Sequence, residues 1–249
     1  MTGASRLFVR TALLAAFLVL PLCPVLQPAA RAAETVIAPS PTSWTEPANL
    51  GEDEIRATAY HDSGAYMRDL AAVDDEVGAW LEAQAPHTTR PALVLDIDET
   101  SLSNWAEMKA NGYGYFPGGS CDALPRGPCG FNAWERSEKA PALAPTLKLF
   151  NRARQLGVAV FFVTGRQDDL TRETAANLEQ AGYHGWSGLV LEPVGSHFRG
   201  AVDFKAPARA AIEAKGYTIL ATVGDQRSDL NGGHAQRGFL LPNPFYFIP

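Results

Sequence analysis

A chain of 249 residues with 46% hydrophobic and 19% charged residues has enough apolar material for one generous core, and rules out a wholly disordered or fibrous protein. Its formal charge of −6 lacks the basic footprint of a protein that coats nucleic acid, so no nucleic-acid polymer is expected as partner.

The front of the chain reads as a targeting segment. Arg6 and Arg10 precede the apolar run Thr11 to Leu20, and the small-residue stretch Ala29-Ala30-Arg31-Ala32-Ala33 offers a cleavage site near Ala32. Pro21 and Pro24 interrupt the run, which favours a removed signal peptide over 1–32 rather than a stable membrane span. Cys23 has Leu22 before it where a lipoprotein signal wants a small residue, so a lipid anchor is not expected. Removing Arg6, Arg10 and Arg31 takes the formal charge from −6 to −9, and an anionic substrate must then be attracted locally by a metal ion and a few cationic groups. Residues 33–50, with Pro39, Pro41 and Pro47 among Ser and Thr, have the composition of an extended linker.

The folded part, 51–249, is expected to begin near Gly51. Tyr66, Leu70, Val73, Val77 and Trp80 recur at helical spacing and predict a long amphipathic helix ending before Pro86. The apolar run Leu93-Val94-Leu95 predicts a buried strand that releases Asp96-Ile97-Asp98-Glu99-Thr100 at its carboxyl edge, where open α/β sheets do chemistry. Taken alone, such an Asp-x-Asp pair is better explained by a turn that caps the next helix or bonds its own backbone.

Residues from about 101 to 141 are rich in Gly, Pro and aromatics, among them Trp105, Tyr113, Tyr115, Phe116, Phe131 and Trp134. They are too many for an ordinary connection and read as a small inserted cap over the site. Cys121 and Cys129 fall inside it. In an oxidising compartment they favour a disulfide contributing about 2.5 kcal/mol by loop-closure entropy, with a two-cysteine metal site as the rival reading.

Helix and strand signals then alternate. Leu143, Leu147 and Phe150 mark a helix stopping at Gly157, and Val158 to Val163 a strand ending in Thr164-Gly165-Arg166. Leu170, Thr174 and Leu178 mark a helix stopping at Gly182, and Gly188 to Leu191 a short strand. Phe204 to Lys215 reads as a helix with Lys205 at its start and Gly216 as its cap. Thr218 to Val223 leads as a strand into Gly224-Asp225-Gln226-Arg227-Ser228-Asp229, and Gly238 to Leu241 closes the series. Repeated strand, helix, strand units predict a parallel, Rossmann-like sheet covered on both faces.

Each polar group in this series has a bland alternative: Thr164-Gly165 a cap, Lys205 a solvated lysine, Asp225 and Asp229 turn residues. Their order and their common placement at strand ends favour a shared site for a phosphate monoester. Asp96 is the candidate nucleophile, carrying the phosphoryl group as an acyl phosphate, and Asp98 the acid and base that serves the leaving alcohol and the incoming water. Asp96, Asp98, Asp225 and Asp229 together would repel one another unless a hard cation, Mg²⁺, sat among them, while Thr164 and Lys205 hold phosphate oxygens. None of His61, His87, His184, His197 and His234 has an adjacent arginine in a catalytic context, and no GxSxG elbow or Walker loop is present.

The same ordered residues resemble the haloacid dehalogenase (HAD) superfamily of phosphatases, and most closely the acid phosphatases that group plant vegetative-storage-type proteins with bacterial class C enzymes, subfamily IIIB. The likeness is carried by Leu95 to Thr100, Val163 to Arg166, Lys205, Gly224 to Asp229 and Leu241-Pro242-Asn243-Pro244-Phe245-Tyr246. It implies a HAD-like fold, Asp96 as nucleophile, Asp98 as acid and base with its backbone carbonyl on the metal, and Asp225 as metal ligand. By the same likeness Asp229 ligates directly or through water, and Thr164 and Lys205 bind phosphate. The function implied is an exported, Mg²⁺-dependent acid phosphatase acting on small phosphate monoesters, nucleoside monophosphates among the candidates. Two alternatives stand beside it: a storage or binding protein on the same scaffold, as in plant relatives that have lost the nucleophilic aspartate, and a phosphotransferase to an alcohol acceptor.

Overall fold

The computed structural model describes residues 47–248, so the expected signal peptide, Cys23 and most of the expected linker lie outside the described residues. Two helices come first, α1 (Leu50–Asp62) and α2 (Ala65–Gln84), where the apolar spacing predicts one. Gly64 separates them at φ 74°. Helix α1 has no buried residue, and its cap is the Asn49 side chain accepting the Glu52 N–H, so it carries no apolar stripe for a periodicity reading to find.

Strand β1 (Pro91–Leu95) follows, then two short helices within residues 101–141, α3 (Trp105–Ala110) and α4 (Phe131–Arg136). The remaining elements alternate as expected: α5 (Ala144–Gln155), β2 (Ala159–Gln167), α6 (Thr171–Gln180), β3 (Gly188–Glu192), α7 (Val202–Ala214), β4 (Thr218–Gly224) and β5 (Arg237–Leu240). All pairings are parallel, in the order β3-β2-β1-β4-β5. Strand β1 is thus central, and the chain leaves it towards β2 on one side and β4 on the other, which opens a crevice at its carboxyl end.

Alternation along the strands sends side chains to two cores. Leu93, Leu95, Val160, Phe162 and Val223 pack with Leu70, Val77 and Leu81 of α2 and Leu149, Phe150 and Ala153 of α5. Ala92, Val94, Phe161, Val163 and Ile219 face Phe204, Ala208 and Ile212 of α7 on the other side. Among the described residues no helix is long and apolar enough to cross a membrane.

The α2–α5 contact holds a buried acid. Asp74 is 4% exposed. Its Oδ2 accepts the Thr146 hydroxyl at 3.0 Å, while Oδ1 has no partner among the described residues. Burial, with Asp75 adding and Thr146 opposing, pushes its pKa from 3.8 up to about 7. A carboxyl raised on folding stabilises most below its unfolded pKa, and that stability drains away as pH rises through the folded value. Asp74→Asn is therefore expected to melt higher than the parent at pH 8, by roughly 1–3 kcal/mol of stability, and to match it near pH 4. Calorimetry at both pH values checks this, and an equal shift at each would sink it.

Candidate active site

Strand β1 delivers the first acids. The Asp96 N–H donates to Val223 O at 3.0 Å, so the ladder with β4 continues one residue past the strand and fixes where Asp96 leaves the sheet. Ile97 is fully buried between Asp96 and Asp98, and the N–H groups of Ser101 and Leu102 both donate to its carbonyl at 2.8 Å. This tight reversal, with Glu99 at φ 52°, turns Asp98 back over the end of the sheet.

Strand β4 delivers the second pair. Gly224 is required here by contact, since a Cβ would lie 2.2 Å from Asp229 Oδ2. The Asp229 carboxylate closes back on the turn by accepting the Gln226 N–H at 2.9 Å. Helix α7 adds Lys205, buried at 6% exposure, whose ammonium donates to Asp96 Oδ1 at 2.8 Å and also to Asp229 Oδ1.

Asp96, Asp225 and Asp229 each bring a carboxylate oxygen within 4.8 Å of the others. All three are buried, and among the described residues Lys205 is the one cation paired with Asp96 and Asp229. Burial pushes the Asp96 carboxyl well above the usual range, the Asp229 charge adding to this and Lys205 opposing it. Burial, then Asp229, raises Asp225 to about 6 even though Asn243 and Gln226 pull it down. Hard oxygen donors with an excess of negative charge are what a divalent cation takes up, and the donor set fits one.

Asp225 is tightly held. Its Oδ2 accepts Gln226 Nε2 at 2.7 Å and Asn243 Nδ2 at 2.6 Å, and its Oδ1 accepts the Thr100 hydroxyl at 3.2 Å. The Tyr246 hydroxyl lies 3.5 Å from the Asp98 carbonyl.

The Asp98 carboxylate turns away from this group towards Arg166, which binds it through Nε at 3.1 Å and Nη2 at 2.6 Å. Burial would raise the Asp98 pKa, but the guanidinium charge and hydrogen bonds, with the Asn104 amide, hold it below the ordinary value. Strand β2 runs on to Gln167, beyond the expected end at Val163, and Arg166, two residues on from the fully buried Thr164, is 3% exposed; the pairing with β3 shifts register between Thr164 and Gln167. Thr164 is fully buried at the end of the regular ladder, its hydroxyl accepting the Arg166 N–H at 3.2 Å.

Asp96, Asp98, Arg166, Lys205 and Asp225 open onto one cavity of about 460 Å³, walled on its outer side by Met108, Tyr113, Tyr115 and Phe131 of the 101–141 segment and by Phe245 and Phe247. A groove of about 580 Å³ between α2 and α5 holds none of these groups. Cys121 and Cys129 form a disulfide within residues 101–141, which displaces the metal-site reading of the pair. Arg166, Asn104, Gln226 and Asn243 are given no role by the sequence alone, although Arg166, Gln226 and Asn243 stand inside the motifs singled out there. Of the histidines, His61 stacks on Trp105 at 3.6 Å, and His184 and His234 pair with Glu179 and Glu213.

Comparison with known proteins agrees with this geometry. The family model for the HAD superfamily, subfamily IIIB (acid phosphatase) matches residues 38–249. The stem 28 kDa glycoprotein of Glycine max is 36% identical over 203 residues, covering 80% of this chain and 76% of its own. Acid phosphatase 1 of Solanum lycopersicum is 34% identical over 185 residues, covering 74% and 69%. The class C acid phosphatase of Bacillus anthracis shares the fold with a TM-score of 0.62 at 20% identity, over 80% of this chain and 86% of that one. A buried aspartate cluster at the end of a central parallel strand, and a family match across the whole described region, together place this chain in the HAD superfamily, among the subfamily IIIB acid phosphatases.

Proposed function

We propose that the chain is an exported, Mg²⁺-dependent acid phosphatase that hydrolyses small phosphate monoesters through a phosphoryl group carried on Asp96. The observation that carries this reading is the buried Asp96 carboxylate, paired with Lys205 and grouped with Asp225 and Asp229, at the floor of a cavity that Asp98 also faces. Export rests on the sequence of residues 1–32, and the 101–141 segment acts as a small cap. Mg²⁺, held by Asp96, Asp225, Asp229 and the Asp98 carbonyl, would supply charge neutralisation at the phosphoryl oxygens.

The chain's own groups do the rest. An Asp96 oxygen attacks phosphorus as the ester P–O bond breaks, and the departing alkoxide takes a proton from Asp98. Asp98 then accepts a proton from a water that attacks the acyl phosphate, releasing inorganic phosphate and restoring Asp96. Lys205 exchanges Asp96 for a phosphoryl oxygen, and Thr164 adds a hydroxyl at the same end of β2. As the structure stands, Arg166 keeps Asp98 ionised. A substrate dianion entering beside Arg166 competes for the guanidinium and frees Asp98 to take up its proton, a step that acidic solution favours.

Borohydride reduces an aspartyl phosphate to homoserine. Quenching the protein with borohydride during turnover of 4-nitrophenyl phosphate is expected to place homoserine at position 96, read by peptide mass spectrometry. Homoserine at another aspartate, or at none while phosphate is being released, would remove Asp96 from its role.

A further inference from the structure

The carboxylate of Asp98 is held by two arms, and both lead to consecutive residues of one short helix in the inserted segment. On the first arm, Asn104 Nδ2 donates to Asp98 Oδ1 at 2.9 Å. The Asn104 amide is itself set from two sides, since its Nδ2 also donates to Glu99 Oε2 at 2.9 Å and its Oδ1 accepts the indole N–H of Trp134 at 2.8 Å. The Asn104 backbone N–H donates to Glu99 Oε1 at 2.6 Å, so the residue is pinned by main chain and side chain alike. On the second arm, the Arg166 fork grips Asp98, and Glu135 faces that guanidinium at 3.5 Å.

Trp134 and Glu135 are neighbours on α4, each 4% exposed. An amide whose oxygen is already committed to an indole N–H cannot flip, so its NH₂ must point at Asp98 and Glu99. The helix that carries both residues is fastened from below. The Phe131 N–H donates to Phe116 O at 2.7 Å, and the Asn111 side chain bonds both the N–H and the carbonyl of the disulfide residue Cys129, at 2.7 and 2.9 Å. Gly130, where α4 starts, touches the Gly118 and Gly119 carbonyls so closely that a Cβ would lie 2.4 Å from Gly119 O.

The geometry points to Trp134 and Glu135 as positioning residues for the general acid, so that the inserted segment acts on proton transfer and not only on the shape of the cavity. This rests on the assignment of Asp98 as general acid made above. Arg166 cannot be the sole support of Asp98 during turnover, because a substrate phosphate draws on the same guanidinium. The arm through Asn104 and Trp134 has no such competitor, and it keeps the carboxyl aimed at the leaving oxygen when Arg166 turns away. Glu135, placed behind Arg166, limits how far the guanidinium swings.

A misaimed acid harms esters of poor leaving groups most, because a nitrophenolate departs without a proton and an alkoxide does not. The experiment is a series of phosphate monoesters, from 4-nitrophenyl phosphate through phenyl phosphate to glycerol 2-phosphate, assayed with the parent enzyme, Trp134→Phe, Glu135→Gln and Asp98→Asn, with melting curves for each. Trp134→Phe keeps an aromatic ring but removes the N–H donor together with part of the buried indole, and the melting curve reads the packing share of that loss. It is expected to lose under about threefold in kcat/KM on 4-nitrophenyl phosphate and at least about tenfold on glycerol 2-phosphate, with Glu135→Gln intermediate and Asp98→Asn steepest. A loss by one common factor across the series in Trp134→Phe and Glu135→Gln, with Asp98→Asn still steep, would overturn the positioning role alone. A flat profile for Asp98→Asn would overturn the assignment on which that role depends, and the role with it.

Discussion

Asp96→Asn is expected to fold as the parent does and to lose phosphate release by about 10⁴-fold or more, the scale on which removal of a covalent nucleophile is felt. The amide cannot attack phosphorus, and among the described residues the neighbouring carboxylates are otherwise engaged: Asp229 onto the Gln226 N–H and Lys205, Asp225 onto Thr100, Gln226 and Asn243, and Asp98 onto Arg166 and Asn104. The fold has little reason to suffer. The carboxylate removed is one that burial and Asp229 already disfavour, and Lys205 keeps its bond to Asp229. Phosphate release under saturating 4-nitrophenyl phosphate, read beside a melting curve, measures both halves. Wild-type turnover in this variant would end the proposal of covalent catalysis at Asp96.

Chelation by EDTA is expected to stop turnover, and restored Mg²⁺ to recover it, because three buried carboxylates opposed by one lysine leave a charge deficit at the place where a dianion must bind. The same deficit makes a structural prediction. An ion that binds the folded state at a hundred times its Kd adds about 2.7 kcal/mol, which for a domain of this size raises Tm by roughly 5 °C or more. Asp225→Asn should abolish both the activity and the Mg²⁺-dependent rise in Tm. Turnover indifferent to EDTA, with a melting curve that Mg²⁺ leaves in place, would overturn the metal reading.

The sheet was legible because parallel strands buried on both faces are written as apolar runs, and glycines at 157, 182 and 216, all with positive φ, punctuate the helices between them. The polar residues at the strand ends were legible for the same reason, as each stands where an apolar run stops. Helix α1 was not, since a helix with every side chain at least partly exposed leaves no periodic trace. Arg166 was hidden differently: it lies on a stretch of β2 that runs past the end of the apolar run at Val163, and its burial comes with its grip on the distant Asp98, which the local sequence does not spell out. The arms on Asp98 were invisible because they join residues 98, 104, 134 and 166 from three separate segments, and only folding brings them within hydrogen-bond reach.

The central strand β1 is paired on both sides to strands distant along the chain, to β2 and, across most of the domain, to β4. A fragment, or a chain caught half-folded, thus holds its aspartates as scattered surface acids with no hydrolytic power. Hydrolytic power is therefore a property of the completed sheet, and it comes into being only once the central strand has been flanked on both sides.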